Sequence, residues 1–236
     1  MKKALYYYLL VSCAYGHDPE AESVEWKQYY RIGIVQSNLF NSGLKSFGRL
    51  KRTTLKTFKD LRLYIHNYDK ETEIRTRYKS SRRFMKYDDI YFFNTIVYEK
   101  NTIANGNLRY FYNQGIGYFI LNKNNYNLTY ELGPAFDNSD YLNSQIRTSF
   151  LKNSFSFDVF LRNIKGSLEV DHFNQISEEI NKESLSRLQM LGEFQLSINS
   201  LFNIIIASFQ EYQNKKIIHN SISIAFSIAK PINWNL

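Results

Sequence analysis

The chain has 236 residues, a formal net charge of +8 from 30 Lys and Arg against 22 Asp and Glu, and 17% aromatic residues. That length suits one large all-β domain or two small ones, and no run approaches the ~18 apolar residues of a membrane-crossing helix. The basic balance does not point to nucleic acid, because the basic residues are spread along the chain with no helix-turn-helix pattern, zinc spacing or basic helix.

The N-terminus reads as a secretory signal over residues 1–16. "MKK" is a basic start, an apolar stretch follows, and Ala14-Tyr15-Gly16 places small residues before a cut ahead of His17. The only cysteine, Cys13, lies in this segment, so the cut leaves a cysteine-free chain suited to an oxidising compartment. "LVSC" at 10–13 also resembles a lipidation signal on Cys13, and an uncleaved first strand is a third possibility. Residues 17–236 then form one domain.

From there apolar and polar residues alternate with period two, the signature of strands with one buried face. In 108–120, Leu108, Tyr110, Tyr112, Ile116, Tyr118 and Ile120 oppose Arg109, Asn113, Gly115 and Gly117. In 126–136, Tyr126, Leu128, Tyr130, Leu132, Pro134 and Phe136 oppose Asn127, Thr129, Glu131, Gly133 and Ala135. Similar rows run through 186–198 and 218–228, with weaker ones over 24–36, 44–55, 57–67, 73–84, 88–99, 145–161, 166–174 and 202–213. The phase slips near Lys152-Asn153, which predicts a bulge or a turn. The stretch 174–184 has some helical propensity and is read as a loop leading into a strand. The tally is about twelve strands of membrane-crossing length. Polar connectors alternate between longer ones (36–43, 67–73, 100–106, 138–143, 174–184) and shorter ones (near Lys56, 86–88, 122–125, 198–200). Short turns on one side and long loops on the other predict a single up-and-down antiparallel transmembrane β-barrel. Only three prolines interrupt the chain, which suits continuous sheet.

A soluble sandwich also alternates. The Tyr-rich apolar rows favour a barrel, with Trp26, Tyr110, Tyr118, Tyr126, Tyr130 and Trp234 as candidates for the aromatic girdle at the lipid headgroups. So do mid-strand charges on the opposite rows, which a lumen accommodates: Arg109, Glu131, Arg147, Glu169, Asp171, Arg187 and Glu193.

"DDIYFFNTIVYEKNTI" (88–103) and "GIGYFILNKNNYNLTYELGPAF" (115–136) resemble the salt-induced outer-membrane protein family, a domain-of-unknown-function family of Gram-negative bacterial β-barrels. The matching residues are Asp89, Tyr91, Phe93, Tyr98 and Glu99, then Gly115, Gly117 and Tyr118, then Leu128, Tyr130, Glu131, Gly133 and Pro134. The strand order is similar over about 26–230, and the specific matches cover the middle; Ala135 stands where the family has a second glycine. The resemblance implies an outer-membrane barrel and supplies no catalytic residues.

The sharpest local feature is "IRTRYKSSRRF" (74–84): Arg75, Arg77, Lys79 and Arg83 share a face, with Arg82 on the other. Facing the lumen, this basic stripe would attract small anionic solutes. Alternatively it is lumen filling, neutralised by the acidic residues Glu131, Glu169, Asp171 and Glu193. His17, His66, His172 and His219 show no metal spacing; His219 shares a face with Ser221 and Ser223, but nothing marks a third orienting group. Asp171 and His172 are adjacent and so point to opposite faces. The expectation is a monomeric, non-catalytic barrel with a small polar lumen, exported through the periplasm to the bacterial outer membrane. Its role would be structural, stress-related or solute-passing. Its partners would be membrane lipid, the barrel-assembly machinery and a small anionic solute, with no metal, cofactor or nucleic acid. Two alternatives stand: a soluble exported β-sandwich or open barrel binding a ligand such as a glycan, and an outer-membrane hydrolase.

Overall fold

The computed structural model describes residues 24–38, 42–68, 71–84, 87–101, 107–139, 146–177, 184–199 and 201–232. The expected signal segment, Cys13, His17 and Trp234 lie outside the described residues. Twelve strands follow one another: β1 (Glu25–Ser37), β2 (Ser42–Thr53), β3 (Thr57–Tyr68), β4 (Glu71–Phe84), β5 (Tyr87–Asn101), β6 (Asn107–Lys123), β7 (Tyr126–Ser139), β8 (Ile146–Leu161), β9 (Ile164–Gln175), β10 (Arg187–Ser197), β11 (Phe202–Gln213) and β12 (Lys216–Ile232). Each pairs antiparallel with its neighbours in sequence. β1 closes onto β12 from Trp26↔Ile232 to Ser37↔Ser221, so the sheet is a closed barrel without edges.

β1 begins and β12 ends at the same end of the barrel, here the turn end, with the connections at 54–56, 85–86, 124–125, 162–163 and 198–201. The other end, here the loop end, carries the connections at 102–106, 140–145 and 176–186, and also short ones at 38–41, 69–70 and 214–215. Asn214 and Lys215 both have positive φ (51° and 64°), which matches a tight hairpin turn. The expected loop at 67–73 is largely strand: the ladder runs on through His66↔Glu73, Asn67↔Thr72 and Tyr68↔Glu71. The polar composition there marks the point where the hairpin leaves the apolar belt, while backbone pairing continues.

The bulge or turn expected at Lys152-Asn153 is absent. β8 pairs in unbroken register with both neighbours through this point. The apparent slip arises because Phe150 faces inward together with Lys152 and Ser154, so an apolar residue sits on the polar row. Register shifts fall instead at Arg83/Phe84, Phe119/Leu121 and Glu211/Tyr212.

Pro134 lies inside β7, which runs on to Ser139. Its pairing with Leu151 of β8 is continuous, and the gap falls on the β6 side, between Asn113↔Ala135 and Ile116↔Leu132. There β6 and β7 pinch together: a Cβ on Gly133 would lie 1.9 Å from the Gln114 carbonyl oxygen, and one on Gly115 2.1 Å from that of Leu132. Only glycine permits this approach, and the gap coincides with the residue that has no donor to give.

Outward rows are apolar. Ile32, Ile34, Leu44, Ile116, Leu132, Ile224 and Phe226 are among the many large side chains left exposed, and they far outnumber the buried apolar ones. A belt of this extent requires an apolar medium around it. Inward rows are mostly polar, as expected of a small polar lumen, but part of the interior is apolar. Val97, Phe111, Ala135, Phe150 and Phe173 form a buried cluster on the β5–β9 wall near the loop end, with Leu185 against it. The rings of Phe111 and Phe150 meet that of Phe173 edge-on at 5.4 and 6.0 Å. Each of the larger side chains, Val97 and the three phenylalanines, stabilises the barrel by about 1.5–3 kcal/mol when taken from water.

Candidate functional site

The inward rows bring their charges together at mid-height. Arg31, Arg62, Arg77, Lys79, Glu131, Lys152, Glu169, Asp171 and Glu193 all stand near the centres of their strands. They meet in pairs, several across the lumen. Arg31 Nη1 of β1 donates to Glu193 Oε1 of β10 at 2.7 Å. Arg77 of β4 reaches Glu169 of β9, five strands away round the wall, at 3.4 Å. Lys152 meets Asp171 at 2.6 Å. Asp60, 1% exposed, is held between Arg49 (2.6 Å) and Arg62 (2.7 Å). Bridges that span the interior narrow the lumen at this level.

Glu131 is held by two donors from different strands. Lys79 Nζ and the Tyr91 hydroxyl (2.8 Å) both donate to its Oε1. The Tyr91 ring packs on Phe119 at 4.9 Å and covers Gly117, where a Cβ would lie 2.2 Å from the ring. Tyr91, Gly117 and Glu131, which look like separate motif residues in sequence, are therefore one cluster: glycine makes room for the ring, the ring positions its hydroxyl, and the hydroxyl fixes the carboxylate.

The four residues of the predicted basic stripe all line the lumen side of β4, with different partners. Arg77 and Lys79 are paired as above. Arg83 lies over the Phe119 ring at 5.1 Å. Arg75 Nε is buried without a hydrogen-bond partner. Lys45 of β2 bonds to the Ser223 hydroxyl of β12 at 3.1 Å instead of to a carboxylate. With the rows of Lys45 and Arg75 included, the midsection holds eight cations (Arg31, Lys45, Arg49, Arg62, Arg75, Arg77, Lys79 and Lys152) against seven carboxylates (Asp60, Glu73, Glu99, Glu131, Glu169, Asp171 and Glu193); Glu99 is in register with Arg75, and Glu73 with His66, the partner of Lys45.

Above it, toward the loop end, Arg109 and Arg187 converge on Asp137, and Arg187 also faces Glu211 at 3.6 Å. The Arg187 guanidinium lies over Phe150 (4.9 Å) and Phe173 (4.4 Å), which caps the apolar cluster with a cation. Arg147, expected on the inner face, points outward and is exposed, because β8 turns its even-numbered residues inward.

Of the proposed girdle residues, Tyr110, Tyr118 and Tyr126 are outward and exposed. Tyr110 stands near the loop end, Tyr126 at the turn end and Tyr118 between them. Tyr130 donates to Asn153 Oδ1 at 2.7 Å, and Trp26 lies against Arg52 at 5.9 Å near the turn end. His66 Nδ1 contacts Glu73 Oε2 at 3.1 Å, His219 packs edge-on to Phe209 at 5.2 Å, and His172 is exposed while Asp171 faces in. Arg31, Lys45, Arg49, Arg62, Lys152, Asp60 and Asp137 were not singled out from sequence. The alternation held the signal, since Arg31 shares a row with Gly33 and Val35, opposite Tyr30, Ile32 and Ile34.

The fold resembles solved outer-membrane barrels. The NanC porin superposes with a TM-score of 0.57 at 8% sequence identity, over 84% of this chain and 98% of that one. An outer-membrane channel from Pseudomonas putida F1 gives 0.52 at 8% identity, over 91% and 100%. The KdgM porin, solved in complex with disordered oligogalacturonate, gives 0.51 at 8% identity, over 86% and 98%. At such identity the likeness is one of fold. No curated protein matched the chain in sequence. The family model described as "Protein of unknown function, DUF481" matches residues 36–217, nearly the whole barrel, and the chain belongs to that family.

Proposed function

We propose that the protein is a monomeric channel of the bacterial outer membrane that passes small anionic solutes through its constricted, net-positive midsection. The observation that carries this reading is the excess of cations over carboxylates at mid-height, eight against seven, with Arg75 Nε unpartnered and Lys45 bonded only to a serine. In a narrow lumen with low-dielectric walls such an excess attracts and concentrates anions. Transit also requires that each anion be held weakly and at several places, and partners already shared with carboxylates hold weakly. The apolar belt, the closed sheet and the fold shared with porins support the membrane location. On this reading the longer connections face outside and the short turns face the periplasm, the chain is exported by its N-terminal segment, and the barrel-assembly machinery inserts it. The KdgM porin's complex with oligogalacturonate, a chain of sugar acids, makes acidic sugars a reasonable first solute class.

Liposome swelling tests the proposal. With the protein reconstituted, a sugar acid should enter faster than a neutral sugar of equal size, and Arg75→Gln should narrow the difference. Equal rates for both solutes would refute anion preference. A barrel without passage is the competing reading, favoured by the apolar cluster that fills part of the lumen; no swelling with any solute would establish it.

A further inference from the structure

The outer wall carries a feature that the channel does not use. On the lipid-facing side of β5–β8, toward the loop end, lies a groove of about 420 Å³. Two neighbouring rows of cross-strand partners build it. The lower row runs Tyr112↔Phe136↔Ser149, and the upper row runs Tyr110↔Asn138↔Arg147. Ser149 is the small member of the lower row, so it leaves a notch beside Phe136. The upper row, nearer the loops, ends in polar groups: a phenol, an amide and a guanidinium. Apolar below and cationic above is the polarity of a lipid lying in a leaflet, chain toward the membrane centre and headgroup toward water.

Charge supports an anionic headgroup. Among the described residues, no Asp or Glu stands on the outward face of β6, β7 or β8. Among the described residues, the carboxylate that lines the groove, Asp137, turns inward and is held by Arg109 and Arg187. Arg147 is exposed, and the bidentate fork of an arginine suits a phosphate.

We propose that this groove binds a phosphate-bearing lipid of the outward leaflet, one acyl chain in the notch between Phe136 and Ser149 and the phosphate against Arg147. Asn138 and Tyr110 complete the headgroup contacts with their amide and hydroxyl. The proposal shares only the membrane location with the channel reading, since Arg147 lies outside the lumen.

Native mass spectrometry of the full chain in mild detergent tests it. The probes are phosphatidic acid and a diacylglycerol with the same chains. Phosphatidic acid should be retained about tenfold more than diacylglycerol, the worth of one charge-assisted contact. Arg147→Gln should bring the two lipids together, and Ser149→Phe, by filling the notch, should lower retention of both. Heat-modifiable gel mobility verifies that each variant is folded, and Arg147→Gln, an exposed surface change, should fold even if Ser149→Phe does not. Inorganic phosphate at millimolar concentration should not displace the lipid. Equal retention of phosphatidic acid by wild type and Arg147→Gln would overturn the proposal, and displacement by inorganic phosphate would show a free-anion site instead. Swelling rates of Arg147→Gln should match wild type, so this proposal and the channel can fail independently.

Discussion

Replacing Glu131 with Gln should destabilise the barrel more than its small change in shape suggests. The carboxylate accepts from Lys79 and from the Tyr91 hydroxyl, with side-chain exposures of 17% for Lys79 and 9% for Glu131. Removing one partner of a buried pair costs about 3–5 kcal/mol, because the other charge is left uncompensated. Here Lys79 keeps some access to lumen water and glutamine can still accept from Tyr91, so we expect about 2–3 kcal/mol. With a urea slope of roughly 2–3 kcal/mol per molar, the unfolding midpoint in detergent should fall by about 1 M. Lys79→Met added to Glu131→Gln should restore much of the loss, with a coupling of about 1.5 kcal/mol or more in the double-mutant cycle. A loss below about 0.5 kcal/mol for Glu131→Gln, within the range of ordinary surface changes, would refute the view that this carboxylate organises the midsection.

Three further predictions concern packing and the belt. Gly117→Ala drives a Cβ into the Tyr91 ring, which Phe119 and Glu131 hold in place, and should cost about 1–3 kcal/mol in urea unfolding; combined with Tyr91→Ala, the glycine change should cost almost nothing further. Ile224→Arg, at the centre of β12 and outward, should cost about 2–4 kcal/mol in lipid vesicles, whereas Ile218→Arg near the loop end should cost about 0–1 kcal/mol; equal costs would argue against a bilayer around the belt. Phe173→Ala should lose about 3–5 kcal/mol and raise single-channel conductance, since it empties part of the apolar cluster inside the barrel.

The alternating rows were legible because a strand's period of two is local. Tyr126 to Phe136 and their opposite row show it without any knowledge of neighbours, and so does the inward turn of Glu131; the closure of β1 on β12 came from the structure. Four things were not legible, most of them because they depend on a partner distant in sequence. Phe111, Phe150 and Phe173 are apolar residues on polar rows; each looks like a phase error until the three meet across β6, β8 and β9. Gly133-Pro134 reads as a strand exit, yet β7 continues because β8 keeps the ladder while β6 takes the gap. Arg147 shows how a slipped phase misplaces one residue: with Lys152 and Ser154 inward, Arg147 must face out. The choice of ion-pair partners, Arg31 with Glu193 or Arg77 with Glu169, follows from how the closed wall folds across its own lumen.

The most direct measurement is the reversal potential of single channels in a planar bilayer under a potassium chloride gradient. The wild type should favour chloride. Arg75→Gln, Arg77→Gln and Lys79→Gln together turn the cation excess into a carboxylate excess and leave Glu169 and Glu131 without those partners, so the preference should turn toward potassium. A potassium-selective wild type, or a chloride preference unmoved by the three changes, would contradict the assignment of the midsection as an anion filter.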